Sequence, residues 1–300
     1  MKTNIISTFI LATAVGMAAC NTNLGDETVT ETASFAGLAA STLPDKADIV
    51  SPAAKWELPK ELREISGIAL LPGNIMAGVQ DEEGIIYLYD LSKKAIVDKI
   101  SFGKPGDYEG IVVVGGDAFI LRSDGAILEV ADFRNGKPKA IEHETVLASS
   151  QNTEGMAYDK AGNRLLIACK GHDERLGNNK GIYAFTLADK TMHANPVIII
   201  PLDQSKLADS GKKRKNKYDV LQPSSLEIHP LTGELYLLDA KNFYLLTIDK
   251  KGTIKKLVNL DKSLLRQPEG LTFGSNGEMY IASEGSKKGN GVLLKYAAGI

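Results

Sequence analysis

The sequence predicts an all-β chain closed into a ring, and three observations predict it. A short motif recurs at a near-constant interval, each interval holds about four apolar runs separated by turn residues, and helical periodicity is nearly absent. The motif is plainest in QPEGLTF (267–273) and NTEGMAY (152–158), with further copies in EISGIAL (64–70), DYEGIVV (107–113) and QPSSLEI (222–228). Measured at Gly67, Gly110, Gly155, Ser225 and Gly270, the copies lie 43, 45, 70 and 45 residues apart. An interval near 45 residues is the length of one four-stranded propeller blade. The expected architecture is therefore a five-bladed β-propeller.

In chain order, residues 1–19 read as a lipoprotein signal peptide. Met1-Lys2 precedes the apolar run IISTFILATAVGMAA, which is too short to span a bilayer comfortably. Met17-Ala18-Ala19-Cys20 resembles a bacterial lipobox, with Met17 where Leu is usual, and the resemblance implies cleavage before Cys20 and its acylation, palmitate among the chains. The only other cysteine is Cys169, so no intramolecular disulfide would survive that use of Cys20. Residues 20–50 are rich in Thr, Ala, Asp and Glu without a sustained period and read as a flexible tether. Some 30 such residues reach on the order of 30 Å. Asn21 is not the Asp that retains lipoproteins at the inner membrane of enteric bacteria, so the outer membrane is the expected anchor site, with the domain outside the cytoplasm.

Residues 51–300 carry the propeller. After DYEGIVVV, a Gly-Gly turn leads to AFILRS, a Ser-Asp-Gly turn to AILEVADF, and GKPK to AIEHETVL. The fourth copy repeats this in SLEIHP, ELYLLDA, FYLLTID and TIKKLVNL. The 70-residue gap exceeds the period by about 25 residues, too few for another blade. It reads as a long third blade with insertions near 171–180 and 203–219. The last copy supplies only GLTF, EMYIAS and VLLKYAA. Its fourth strand is expected from Ala54-Lys55-Trp56-Glu57-Leu58, which closes the ring and removes a free edge.

The first strand of each blade lines a propeller's central channel, and side chains alternate along it. The position before the motif glycine holds Ser66, Glu109, Glu154, Ser224 and Glu269. Two residues earlier stand Glu64, Asp107, Asn152, Gln222 and Gln267. All ten carry a side-chain oxygen, which an apolar core strand would not need. The glycine itself points to a close approach or an unusual backbone angle. Three glutamates aimed at one axis, about 5 Å apart at an effective dielectric near 20, repel by roughly 10 kcal/mol in all. Protonation or a bound cation relieves this. Oxygen donors without converging His or Cys suit calcium better than magnesium. The expected ligands are Glu109, Glu154 and Glu269, completed by water and by Glu64 or Asp107. The plain alternative spreads the glutamates among waters or pairs them with Arg122 and Lys170.

With the secretory start, LREISGIALL, DYEGIVVV, TEGMAYD followed by NRLLIACKG, and QPEGLTF, the chain resembles the SdiA-regulated (YjiK-like) family of bacterial envelope proteins over residues 55–297. The resemblance implies a five-bladed propeller with a calcium ion and no established enzymatic activity. Ser66 and Ser224-Ser225 depart from the full motif, which puts the ligands of the first and fourth blades in doubt.

The second strands end at Asp81, Asp124, Lys170, Asp239 and Glu284. Arg122, Lys170, Asp239 and Glu284 are candidate ligand contacts at the mouth, although strand-end acids more often satisfy turn amides. His172 beside Lys170 is a candidate base or a solvated loop residue, and His229 reads as structural. His143 and His193 show no partner at ligand spacing, and Cys169 reads as a buried, inert thiol. The basic run 212–217 reads as a solvated loop that could meet anionic headgroups. No nucleophile elbow, phosphate-cradling loop or zinc spacing is present. A formal net charge of -2 gives no field for nucleic acid. Function is thus expected to be a monomeric, membrane-tethered binding or scaffold module for a small molecule or envelope protein. The alternative is a calcium-dependent hydrolase of a phosphate ester or lactone.

Overall fold

The structure, a computed structural model, describes residues 51–135, 138–208 and 216–299. The expected signal peptide, Cys20 and tether lie outside the described residues, as does most of the basic run 212–217. Among the described residues no helix is long and apolar enough to cross a membrane.

Five antiparallel sheets follow one another along the chain. The first comprises Ile65–Leu71, Ile75–Gln80, Ile85–Asp90 and Ala95–Ser101. The second comprises Tyr108–Val114, Asp117–Arg122, Ile127–Val130 and Ala140–His143. The third is built on Thr153–Asp159, Arg164–Cys169 and the long strand Asn179–Thr186. Its outer position is divided: Thr191–Met192 pairs one end of that long strand and Ile198–Pro201 the other. Ser225–Ile228, Leu235–Asp239, Tyr244–Ile248 and Ile254–Asn259 form the fourth. The fifth joins Pro268–Phe273, Met279–Ser283 and Val292–Tyr296 to Ala54–Glu57. Ala54 lies opposite Lys295 and Glu57 opposite Val292, so the ring closes as the sequence predicts. Trp56 fastens the closure by donating its indole N–H to the Leu91 carbonyl of the first blade at 2.9 Å.

The 70-residue gap is one blade with two insertions. The first is shorter than expected, because Asn179 and Lys180 already belong to a strand. The second contains the one-turn helix Ser205–Ala208 and a 3-10 turn at Lys217–Val220.

Each buried cluster is a layer between adjacent blades. Ala157, Leu166 and Ile182 of the third blade meet Leu226, Leu237 and Leu246 of the fourth. The other four junctions have equivalent layers, the last joining Tyr280 and Leu293 to Ile65 and Met76 across the closure. Two-faced burial explains the apolar runs of the middle strands: Tyr244–Ile248 is buried at every residue.

The motif glycines sit where inner strands of neighbouring blades nearly touch. A Cβ on Gly67 would lie 2.6 Å from the Ile111 nitrogen, and one on Gly155 2.7 Å from the Leu226 nitrogen. At Gly270 it would lie 2.7 Å from the Ser66 carbonyl oxygen. None of these glycines has a positive φ. Close approach, rather than an unusual backbone angle, is the reason for the glycine.

Candidate functional site: an acidic hub

The inner strands do not alternate strictly at the motif. In the second blade Tyr108 pairs with Arg122 and Gly110 with Leu121, leaving Glu109 as an extra residue. Glu154 and Glu269 are skipped in the same way between Thr153 and Gly155 and between Pro268 and Gly270. The first blade shifts register between Ile65 and Ile68, around Ser66. A bulge of this kind re-aims the extra side chain. Each of the three glutamates therefore stands on its own bulge at the inner end of its blade.

The two acidic and polar columns do meet. Asn152 donates to Glu154 at 2.8 Å, and Gln267 donates to Glu269 at 2.7 Å. Gln267 also donates to Glu284 at 2.8 Å. Ser224 is structural: it is buried, donates to the Pro268 carbonyl at 2.8 Å and accepts from the Ala240 N–H at 3.2 Å.

The carboxyls of the hub are electrostatically coupled. Burial pushes Glu109 up to about 10, reinforced by Glu154, Glu269 and Asp107. Glu269 rises to about 8 through burial and its hydrogen bond with the Glu284 carboxyl, which is itself raised, chiefly by burial. Burial lifts Glu154 to about 7 against the pull of Lys170. That lysine stands 2.8 Å and 3.0 Å from the two carboxylate oxygens of Glu154. Burial opposes the Lys170 charge, yet Glu154, Glu269 and Glu109 outweigh it and raise its pKa. Asp81 reaches about 6, by burial and then by Glu64, Glu269, Glu82 and Asp107. Its Oδ1 is buried without a hydrogen-bond partner. Glu64 meets Arg63 at 3.1 Å.

Among the described residues, no three acidic, histidine or cysteine side chains stand together at metal-holding spacing. The donor chemistry nonetheless fits a hard cation. Oxygen donors predominate, burial opposes joint ionisation of the carboxyls, and the buried Asp81 Oδ1 has no hydrogen-bond partner.

The other mouth candidates separate. Arg122 faces Asp124 at 2.9 Å and Glu142 at 2.6 Å rather than Glu109, Glu154 or Glu269. Asp239 is fully buried and accepts from the Gln222 N–H at 2.8 Å and the Asn242 N–H at 2.7 Å, so it anchors a turn. Lys170 and Glu284 are in the hub. His172 stacks on Tyr218 with centroids 3.4 Å apart, and its Nδ1 is buried without a partner. His229 accepts turn N–H groups from Leu231 and Thr232 through Nδ1, as expected. Cys169 is buried, and burial pushes its thiol up to about 12. His143 does have a partner, Glu129 at 2.8 Å, which Lys190 of the third blade meets at 2.6 Å. Two cavities open beside the hub, of about 460 and 300 Å³, and share Lys170 and Gln222. Lys180, Tyr218 and Phe243, which line them, carried no signal in the sequence because none belongs to the repeated motif.

The sequence profile of the SdiA-regulated family matches residues 61–287. No curated protein matches the chain. Among solved structures, a glutaminyl cyclase from Myxococcus xanthus is 13% identical, with 81% of this chain and 94% of that chain covered and a TM-score of 0.55. A Bacteroides thetaiotaomicron protein of unknown function is 14% identical, covering 78% of this chain and 56% of that one, with a TM-score of 0.50. A gluconolactonase from Xanthomonas campestris is 9% identical, with 77% of this chain and 71% of that chain covered and a TM-score of 0.48. Likeness at these identities concerns the fold, and folds of this kind host many chemistries.

Proposed function

The chain belongs to the SdiA-regulated family, and from that premise we propose that its acidic hub holds a divalent cation, calcium by donor chemistry, in a ligand-binding propeller tethered outside the cytoplasm. Glu109, Glu154 and Glu269 would hold the ion, with Asp81 and with Glu64 or Asp107 beside them. When bound, it would supply positive charge that lets the buried carboxyls ionise together. The observation that carries the reading is the excess of acid. Asp81, Glu109, Glu154, Glu269 and Glu284 are all raised, with Glu64 and Asp107 near enough to add to the effect, around the half-buried Lys170 ammonium. An acylated Cys20 would tether the domain to a bilayer, the outer membrane by the argument from Asn21.

Binding is favoured over hydrolysis of a phosphate ester or lactone. Asp239 is committed to backbone and amide donors, and Glu284 is hydrogen-bonded to Glu269. His172 Nδ1 meets no carboxylate to orient it. A general base needs a free lone pair and a fixed orientation. The test is elemental analysis of the purified protein joined to melting curves with calcium and with chelator. Bound calcium and a melting temperature lowered by chelator are expected. A metal-free protein indifferent to both additions contradicts the reading, and calcium-dependent turnover on a panel of phosphoesters and lactones favours the hydrolase.

A further inference from the structure

The two cavities beside the hub have a different character from the hub itself. The larger takes Lys241, Arg266 and Phe243 into its wall, and the smaller takes Lys180, His172 and Tyr218. Their sizes, about 460 and 300 Å³, are those of small-molecule sites. Lys180 is 3% exposed and donates to the Lys170 and Gly171 carbonyls, the latter at 2.7 Å, so an ammonium underpins the loop that divides the cavities. Lys241 makes no ion pair among the described residues, and Arg266 spends one N–H on the Gly285 carbonyl. The acids of these walls are already engaged. Glu269 accepts from Gln267 at 2.7 Å, and Asp219 accepts from Gln222 at 3.0 Å.

Backbone conformation adds an independent observation. Phe243 has φ +61°, in the turn between Leu235–Asp239 and Tyr244–Ile248. A bulky side chain rarely adopts that region, and such residues persist where surrounding structure holds them, often at ligand sites. Here the Leu260 N–H donates to the Phe243 carbonyl at 2.8 Å and fixes the turn, and Phe243 lines the larger cavity with its ring packed on the core and the Lys262 ammonium 4.7 Å from its centroid. Asn152, at φ +42°, lies in the wall of the smaller one. On the smaller side, the stacked His172–Tyr218 pair adds ring surface and a buried nitrogen with no partner.

We propose that this double cleft binds a small molecule with an oxyanion head and a flat apolar body. The head lies between Arg266 and Lys241, and the body lies along Phe243 toward Lys170 and Gln222. The guanidinium fork suits a carboxylate or phosphate oxygen pair, and an ammonium adds a second charge-assisted bond. The proposal deepens the binding-module reading and rests on it.

Isothermal titration of the purified protein with phenyl phosphate and with benzoate tests it, and the two probes separate a phosphate head from a carboxylate one. At least one probe is expected to bind saturably. Lys241→Ala and Arg266→Ala should each weaken that probe about tenfold, the loss of one charge-assisted bond. Arg266→Lys should recover part of the affinity, and Phe243→Asn, which tolerates the left-handed turn, should weaken binding severalfold. Binding of neither probe, or unchanged binding by the Lys241→Ala/Arg266→Ala double variant, overturns the proposal. Melting curves with calcium on the same samples keep the two readings apart. A calcium response without probe binding sinks the cleft alone, and probe binding without a calcium response sinks the cation alone.

Discussion

The inner ends of the blades and the layers between blades are made by the same strands, yet they obey opposite rules. Between blades, apolar side chains bury one another, as where Leu246 and Leu237 meet Ile182 and Leu166, and the buried Tyr89 hydroxyl is an exception without a partner. At the hub, bulges set Glu109, Glu154 and Glu269 where burial and mutual repulsion both oppose ionisation. The layers are self-sufficient. The hub is complete only with protons or a cation, and that difference separates what holds this molecule together from what it can bind.

Substitutions confined to a layer or to the hub separate the two rules. Leu246→Ala, which empties fully buried volume between the third and fourth blades, should destabilise by about 2–5 kcal/mol. That loss should be equal with calcium and with chelator in thermal melts. Lys170→Met removes the ammonium facing Glu154 and should cost about 3 kcal/mol near pH 8. Near pH 5 the loss should be far smaller, because Glu154, raised to about 7, is then protonated. Melts of the variant at the two pH values check this.

The pH dependence of the metal-free protein itself comes next. Glu109, Glu154, Glu269 and Asp81 all have folded values above their ordinary ones. The native state therefore holds more protons than the unfolded chain. Stability is fullest below the ordinary carboxylate range and declines as pH rises through about 6, 7, 8 and 10. A decline of at least about 4 kcal/mol between pH 5 and pH 8, the amount that Glu109 alone contributes over three pH units, is expected from denaturant titrations, and calcium should remove most of it. A flat profile would make the hub no different from the layers. The smallest effect belongs to Glu109→Gln, which has no ammonium partner. It should leave the chelated protein equally stable or about 1 kcal/mol more so near pH 8, while weakening its calcium response.

The fold was legible because a repeat fixes its own interval. Gly67, Gly155 and Gly270 stand where strands pass too closely for a Cβ and Gly110 where one would be tight, so four of the five inner strands carry the mark. Closure by Trp56 and its neighbours followed from counting three strands in the last copy. The acids of the hub were legible for the same reason. Their bulges were not, since an extra residue in one strand is defined by the partner it skips, and Leu121 or Ala282 lies in another segment. Nor was the cross-blade group of His143, Glu129 and Lys190 visible, because 61 residues separate its lysine from its glutamate. Strict alternation still paired Asn152 with Glu154 and Gln267 with Glu269, contacts two residues apart that the bulge preserves.

Whether the hub takes a cation is decided by the melting temperature of metal-stripped protein near pH 8, before and after adding calcium. At a hundredfold excess over its dissociation constant, one bound ion contributes about 2.7 kcal/mol. For a domain of this size that is a rise of roughly 5–10 °C. Such a rise, diminished in Glu109→Gln, is the predicted result. An unchanged melting temperature at millimolar calcium would contradict the account.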